Sequence, residues 1–551
     1  MLHTNYYLPI SAKTTESLKA NIKQFISYLQ DNKQLIPADL AYTASVRRIQ
    51  HNQRILVPFS KVAQLPNKLA AYLPDDALAD ITTAVDKPKL VMVFSGMGQQ
   101  FWSMGRALLE QDQEFCKTIK SIDTHLQQLD KHFSIYVELL QAEAESQIND
   151  TCIAQCSIFA LQVGVYEWLQ KRGITPDAVV GHSVGEAAAA YVSGALSLTD
   201  ALKVVHMRSK LQATTAGNGA MLAVGLGELE VTQYIKADDD IAIAAINSPT
   251  AVTVAGNTKH LERLEKSLTA NKVFAKFLKV EVAYHSQTME PILAELENSL
   301  SDIQPQATTI PLISTVTGSF IEGKQLDSQY WCQNIRQSVQ FNAAIDYLLA
   351  DGYNTFLEIS AHPVLKNSMH EILAASSHEA NIVHTLQRKQ HAIEIIDNSY
   401  EKLFQLGVNI NWQQFFTGKE KLVKLPHYAW LKQSYWNESD ASRLHRLGDK
   451  DAHELLGNKQ TNAALQTWQS EIDIENLTYL ADHKVQGKVY FPAAGFIEVA
   501  MAAANEQSSK QISLTNISIH TPLVLTSDAV TLLQTIISGK EINIYGNWKN
   551  Y

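Results

Sequence analysis

Cysteine is scarce in this chain of 551 residues, with four in all, and proline and glycine are sparse too, at 15 and 24. Four thiols, Cys116, Cys152, Cys156 and Cys332, are too few to staple a secreted scaffold. Their spacing to the 18 histidines does not read as a zinc motif, so no metal is expected. The low glycine and proline content excludes collagen-like and low-complexity chains. Positive charge is also short: 46 Lys and Arg stand against 56 Asp and Glu, a net charge of -10. Without a basic excess, neither nucleic acid nor an anionic membrane is an expected partner, and any anionic substrate must be held by a few placed cations. No apolar run reaches the roughly eighteen residues that would span a bilayer. Met1-Leu2-His3-Thr4-Asn5 lacks a basic region leading into an apolar stretch. The expectation is a soluble, cytoplasmic protein in a reducing compartment. What remains is ordinary globular material, 46% hydrophobic and 19% charged. At about 150 residues per domain it predicts three or four domains.

The hydrophobic pattern divides the chain. Leu18, Ile22, Phe25, Ile26 and Leu29 recur at helical spacing, a second short helix is expected at 40–48, and 55–59 reads as a strand. Residues 1–88 are therefore expected to form a small α/β unit, with a polar joint at 75–89. Leu90-Val91-Met92-Val93-Phe94 then has the composition of a buried parallel strand. Helices near 101–110 and 157–170 and a strand at 178–180 continue the alternation of a doubly wound parallel sheet over 89–388. Between about 219 and 285 the rhythm becomes β-α-β-β-α-β, a ferredoxin-like insert. Residues 389–448 read as an aromatic-rich connection. Residues 449–551 start a new unit of strands around a helix at 495–504, apolar nearly all round and so expected to be buried.

Gly181-His182-Ser183-Val184-Gly185 fits G-x-S-x-G between that strand and a helical run. In a nucleophile elbow of this kind a serine sits on a sharp turn, and the helix start aims backbone N–H groups at an oxyanion above it. Ser183 and Glu186 also fit the two ends of a helix capping box, an alternative that the pattern leaves open.

With its neighbours, Gly181-His182-Ser183-Val184-Gly185-Glu186 resembles the active-site motif of the acyltransferase domains of type I polyketide synthases and fatty acid synthases. Phe94-Ser95-Gly96-Met97-Gly98-Gln99-Gln100 resembles the family's FPGQGxQ loop, with Met97 where glutamine is usual. Ala154-Gln155 and Phe159-Ala160-Leu161-Gln162 resemble its glutamine helix, and Arg208 takes the place of its carboxylate-binding arginine. Val282-Ala283-Tyr284-His285-Ser286 resembles its histidine motif, and Glu358-Ile359-Ser360-Ala361-His362-Pro363-Val364-Leu365 its closing segment. The resemblance implies a hydrolase-like α/β core in which Ser183 is the nucleophile and His285 its base. Backbone N–H groups of Met97 and Val184 would form the oxyanion hole, and a backbone carbonyl near His362 would orient the His285 ring. Arg208 and Gln155 would bind substrate. Val184 and Tyr284, an apolar and a bulky residue, imply malonyl rather than methylmalonyl.

The flanks carry resemblances of their own. Leu8-Pro9-Ile10-Ser11-Ala12-Lys13, Asp39-Leu40-Ala41-Tyr42 and Arg47-Arg48 are similar to a ketosynthase-to-acyltransferase linker. Leu425-Pro426-His427-Tyr428-Ala429-Trp430 and Tyr435-Trp436 are similar to the wrapping segment after the acyltransferase. His453-Glu454-Leu455-Leu456-Gly457, and His483 to Pro492 in the pattern HxxxGxxxxP, resemble the N-terminal part of a dehydratase hotdog, with His483 as its base.

The expectation from these resemblances is an acyltransferase that moves an extender unit from malonyl-CoA to Ser183, then to the phosphopantetheine thiol of a separate acyl carrier protein. No bound cofactor or metal is implied. A ketosynthase and the remaining dehydratase half are expected from another chain or are missing by truncation. Two alternatives stand beside it. One is a serine hydrolase or thioesterase with the same elbow, and the other an inactive synthase fragment that serves as a docking scaffold.

Overall fold

A computed structural model describes residues 5–74, 77–78, 84, 87–432, 436–439, 442, 452–460, 464–508, 511–527 and 529–549. Parts of the expected joint at 75–89, and Tyr435 of the wrapping motif, lie outside these residues. The chain forms two compact units, Met1–Leu431 and Lys432–Tyr551. The first therefore takes in the N-terminal α/β stretch, the expected core and most of the connection after it.

At the start of the first unit, strand Tyr6–Ala12 pairs antiparallel with Gln53–Phe59, with Tyr7 opposite Pro58 and Pro9 opposite Leu56. Only the second of these strands was expected, and each carries a proline, Pro9 and Pro58, that removes a ladder donor. A two-stranded ribbon has only edges, where proline is tolerated. The helices Thr15–Asp31 and Pro37–Val46 pack against it. The longer one starts where the Thr14 hydroxyl accepts from the Ser17 N–H, and it buries Leu18, Ile22, Phe25 and Leu29, the periodic face read from sequence.

Leu90–Phe94 is buried at every position and lies inside a six-stranded sheet. The order is Ser319–Ile321, Leu312–Ser314, Ala178–Gly181, Leu90–Phe94, Thr355–Ile359, Asn381–His384. All neighbours are parallel except the Ser319–Ile321 edge, which runs antiparallel. The expected parallel α/β core is thus present with one reversed edge strand. Its central helix, Thr151–Lys171, is capped by Asp150 and is long and apolar enough to cross a membrane, yet 83% of its apolar window is buried in protein.

The expected insert is also present. Strands Ala220–Val224, Ile241–Ser248, Ala251–Gly256 and Ala275–Phe277 alternate with helices Glu228–Val231 and Thr258–Ala270. They form an antiparallel sheet in which the first strand lies between the third and the fourth.

The second unit has a sheet of Asn458–Lys459, Gln466–Ile472, Val530–Ser538 and Glu541–Lys549, and a small one of Lys484–Val485, Lys488–Tyr490 and Val524–Leu525. Helix Ala493–Gln507 packs on the long strands through Val499, Ala503 and Ala504. The expectation of all-round burial is corrected here. One layer of sheet covers one face, and Ile497 on the other face is 39% exposed.

Candidate active site

Strand Ala178–Gly181 delivers the chain to Ser183, which has a φ of 55° in the left-handed region, and helix Gly185–Val192 follows at once. This is a strained place for a serine, and the glycines around it make it possible. A β-carbon on Gly181 would lie 2.3 Å from the Glu186 nitrogen, and one on Gly185 would lie 2.0 Å from the Phe94 carbonyl oxygen. The turn is that tight because strand and helix share one backbone crossing.

The capping-box reading fails on this geometry. The Ser183 hydroxyl faces Nε2 of His285 at 2.8 Å. Glu186 turns away into the core, where its carboxylate accepts from the Thr315 hydroxyl at 2.6 Å, Tyr330 at 2.5 Å and Asn334 at 2.9 Å, and from the Thr315 N–H. Burial pushes the Glu186 carboxyl above its ordinary value, while these donors pull the other way. The network anchors the elbow helix from behind.

His285 also has a positive φ, 57°, and is buried. Its Nδ1 meets the Gln337 carbonyl oxygen at 2.9 Å. A carbonyl only accepts, so Nδ1 carries the proton and Nε2 presents a lone pair to Ser183. Burial, then the charge of Arg208, then His182 hold the ring down to about 3. The imidazole is therefore neutral across the physiological range, the form a general base needs.

A cavity of about 750 Å³ opens over this pair, lined among others by Met97, Gln155, Val184, Arg208 and Tyr284. Arg208, on helix Leu198–Ala213, is 1% exposed, and burial lowers it to about 10. Its Nη2 lies 3.4 Å from the Ser183 oxygen, while Nε and Nη1 are buried with no hydrogen-bond partner among the described residues. Such a guanidinium calls for an incoming anion. Gln155 donates to the Gln212 Oε1 at 2.8 Å, leaving its own Oε1 unpartnered, and Tyr284 holds Thr151 at 3.0 Å.

Two further motifs converge on the loop after the first core strand. Ser95 donates to the Glu358 carboxylate at 2.7 Å, and Glu358 also accepts from the N–H groups of Val364 and Leu365. Gln99 donates to the carbonyls of Ser95 and Gly96 and accepts from the Ala361 N–H at 2.7 Å. The loop carrying Met97 is thereby fixed beside the elbow.

With this geometry in place, sequence comparison is decisive. Residues 91–410, more than half of the chain, match the acyl transferase domain family. The chain belongs to that family. The acyltransferase also carries matches to a polyketide synthase dehydratase domain at 453–548 and to the CurL-like C-terminal segment of polyketide synthases at 6–69. It is 32% identical to the hybrid PKS-NRPS synthetase pyvA of Aspergillus violaceofuscus over 95% of this chain and 15% of that protein. Identity to the mycoketide-CoA synthase of Mycobacterium tuberculosis is 31%, over 98% of this chain and 13% of that protein. The chain thus spans about a seventh of the length of these curated relatives. Among solved structures, the acyltransferase domain from module 8 of the salinomycin polyketide synthase matches with a TM-score of 0.68 and 30% identity, over 74% of this chain and 98% of that one. The acyl transferase domain of ZmaA matches with a TM-score of 0.68 and 25% identity, over 77% and 99%.

Not every sequence expectation for the acyltransferase survives. The carbonyl that orients His285 belongs to Gln337, the residue that ends helix Ser328–Arg336, and not to the neighbourhood of His362. A backbone carbonyl acts through position alone, so no side-chain motif marks it. His362 instead has a buried Nδ1 with no hydrogen-bond partner among the described residues. His483, in the second unit, is exposed, with Nδ1 2.9 Å from the Tyr490 carbonyl oxygen. Sequence reasoning missed Asn247, which lines the cavity and meets Nε2 of His182 at 2.9 Å. It also missed Arg388, a second cation on the cavity wall, placed by a 3.0 Å bond to the Gln100 carbonyl and by the Phe101 ring. Arg388 lies between the closing segment 358–365 and the wrapping segment that begins at Leu425, outside every motif read from the sequence.

Proposed function

We propose that this acyltransferase loads a carboxylated acyl group, malonyl, from coenzyme A onto Ser183 and passes it to the phosphopantetheine thiol of an acyl carrier protein. The observation that carries the proposal is the buried Arg208 guanidinium, two of its nitrogens unpartnered, with Nη2 3.4 Å from the nucleophile. A free carboxylate on the acyl group would satisfy it, with charge-assisted bonds worth about 1.5–3 kcal/mol each. An acetyl group would leave the charge buried and unpaired.

In the reaction, His285 Nε2 takes the Ser183 proton as Oγ attacks the thioester carbonyl. The oxyanion is directed at the N–H groups of Met97 and Val184. Collapse breaks the carbon–sulfur bond, and Nε2 returns its proton to the departing coenzyme A thiolate. The carrier thiol then repeats these steps in reverse, giving its proton to Nε2, and Ser183 is restored. Substrate also tunes the base. Arg208 is one of the groups that depress His285, so a carboxylate that neutralises it raises the basicity of Nε2. Val184 and Tyr284 at the cavity wall would crowd a methyl branch, worth about 1–3 kcal/mol against methylmalonyl.

The test is intact mass after incubation with a mixture of malonyl-, methylmalonyl- and acetyl-CoA. A malonyl adduct that is absent in Ser183→Ala, with selectivity moving toward acetyl in Arg208→Ala, is the expected result. An adduct on Ser183→Ala, unchanged selectivity in Arg208→Ala, or hydrolysis faster than transfer to a carrier thiol would overturn it.

A further inference from the structure

Three helices of the acyltransferase core meet at a cluster that the chemistry above does not use. Cys152 and Cys156 stand one turn apart on helix Thr151–Lys171, a spacing that puts both thiols on one face. His206, on helix Leu198–Ala213, completes the group, and one ligand atom from each of the three lies within 4.8 Å of the others. Cys156 is fully buried, His206 is 3% exposed and Cys152 is half-buried. Chain order hid this arrangement, because the histidine arrives from the next long helix and not from a motif beside the cysteines.

The histidine is already prepared from outside. Its Nε2 lies 3.6 Å from the carboxylate of Asp130, the residue that ends helix Gln113–Leu129, and its Nδ1 is buried with no hydrogen-bond partner among the described residues. A carboxylate on one ring nitrogen, with the other left free, is how metal-ligating histidines are oriented. Beside the thiols, the Ser209 hydroxyl lies 3.5 Å from Cys152 Sγ and 4.0 Å from Cys156 Sγ, and donates to the His206 carbonyl.

We propose that Cys152, Cys156 and His206 bind a soft divalent cation of the zinc class, with Asp130 as the outer partner of the histidine. Tetrahedral zinc places two thiolate sulfurs about 3.8 Å apart, and the ligand atoms of the cluster already lie within 4.8 Å of one another. Half-buried Cys152 and partly exposed Asp130 leave the fourth position to water from the solvent side. Both thiols lose their protons to solvent on binding, and no oxidant is needed. The site has a structural reach. Gln155 lies between the two cysteines and Arg208 lies two residues after His206, so the ion would clamp together the two helices that present substrate-binding groups to the cavity.

The experiment uses the full chain, reduced and stripped with a chelator, then titrated with Co²⁺ and with Zn²⁺. Thiolate-to-cobalt charge-transfer absorption saturating at one equivalent, displaced by one Zn²⁺, is expected. Cys152→Ala and His206→Ala should each weaken Zn²⁺ binding at least tenfold, and Asp130→Asn roughly 10- to 100-fold. The double variant Cys116→Ala/Cys332→Ala, which keeps the cluster, should bind as the parent does. Circular dichroism on each variant separates a lost ligand from a lost fold. Absence of thiolate–cobalt absorption in the parent would overturn the proposal. So would unchanged binding in folded Cys152→Ala and His206→Ala, or transfer of the signal to Cys116 or Cys332.

Discussion

His285 takes its proton affinity from its neighbours, and this makes its pH behaviour predictable. The folded ring is held to about 3 against an ordinary 6.5. Between those values the unfolded chain binds a proton that the folded chain does not, so this residue's stabilisation is complete above about 6.5 and is lost as pH falls toward about 3. His285→Gln should flatten that slope in urea melts; a slope as steep as the parent's would count against it. Catalysis follows the same sign. The acid limb of acetyl loading should lie well below pH 6.5 in the parent and move upward in Arg208→Ala, where a depressing charge is gone. A limb that stays put would show that Arg208 does not act on the base. Removing the imidazole altogether, in His285→Ala, should slow malonyl loading roughly 100-fold or more. At this scale the sequence pointed to three side chains that the fold brings together, Ser183, His285 and Arg208. It was illegible wherever position does the work, as with the Gln337 carbonyl, or where partners come from distant elements, as with Asn247 and His206.

The elbow turns on two glycines and one buried acid, and each can be tested separately. Gly185→Ala would drive a β-carbon to within 2.0 Å of the Phe94 carbonyl, which is backbone in the central strand and cannot swing aside. The variant should lose about 1–3 kcal/mol or fail to fold. A soluble variant with parental stability and loading would contradict the strand–helix crossing. Glu186→Gln keeps the shape but offers one oxygen and an amide to Thr315, Tyr330 and Asn334, all of which now donate to the carboxylate. Each donor left without an acceptor costs about 1–3 kcal/mol, so the melting temperature should fall with little change in the fold. Elements with strong internal rhythm were readable in advance, above all Leu90–Phe94 and the β-α-β-β-α-β insert. Those that depend on what lies against them were not. Tyr6–Ala12 is a strand by virtue of its ribbon partner, and Ala493–Gln507 looked apolar on every side while only one side has a sheet to cover it.

The whole molecule has two compact units with separate cores, and they differ greatly in size. The second is built on Trp468, Ile472, Phe491, Val499, Leu533 and a few neighbours, whereas the first draws on several large clusters. Smaller cores bury less and open more readily. Amide exchange in rising urea should therefore unprotect strands Gln466–Ile472 and Val530–Ser538 before Leu90–Phe94 and Thr355–Ile359. Coincident loss of protection in all four would argue for a single cooperative body. Within the first unit, the ends of the chain path are joined. Tyr7 donates to Asp397 at 2.6 Å, Leu425 sits in the core of the N-terminal ribbon and helices, and Asn21 accepts from the Ala429 N–H at 2.7 Å. Considered in time, this closure sets an order of events. A ribosome that has finished Leu78 still has to make Leu425 before the first core can be completed, an interval of roughly 20–70 s at ordinary elongation rates. The N-terminal ribbon and helices of this unit are thus among the last elements to find all their neighbours, and a nascent chain must carry their half-built apolar surface through the synthesis of the six-stranded core.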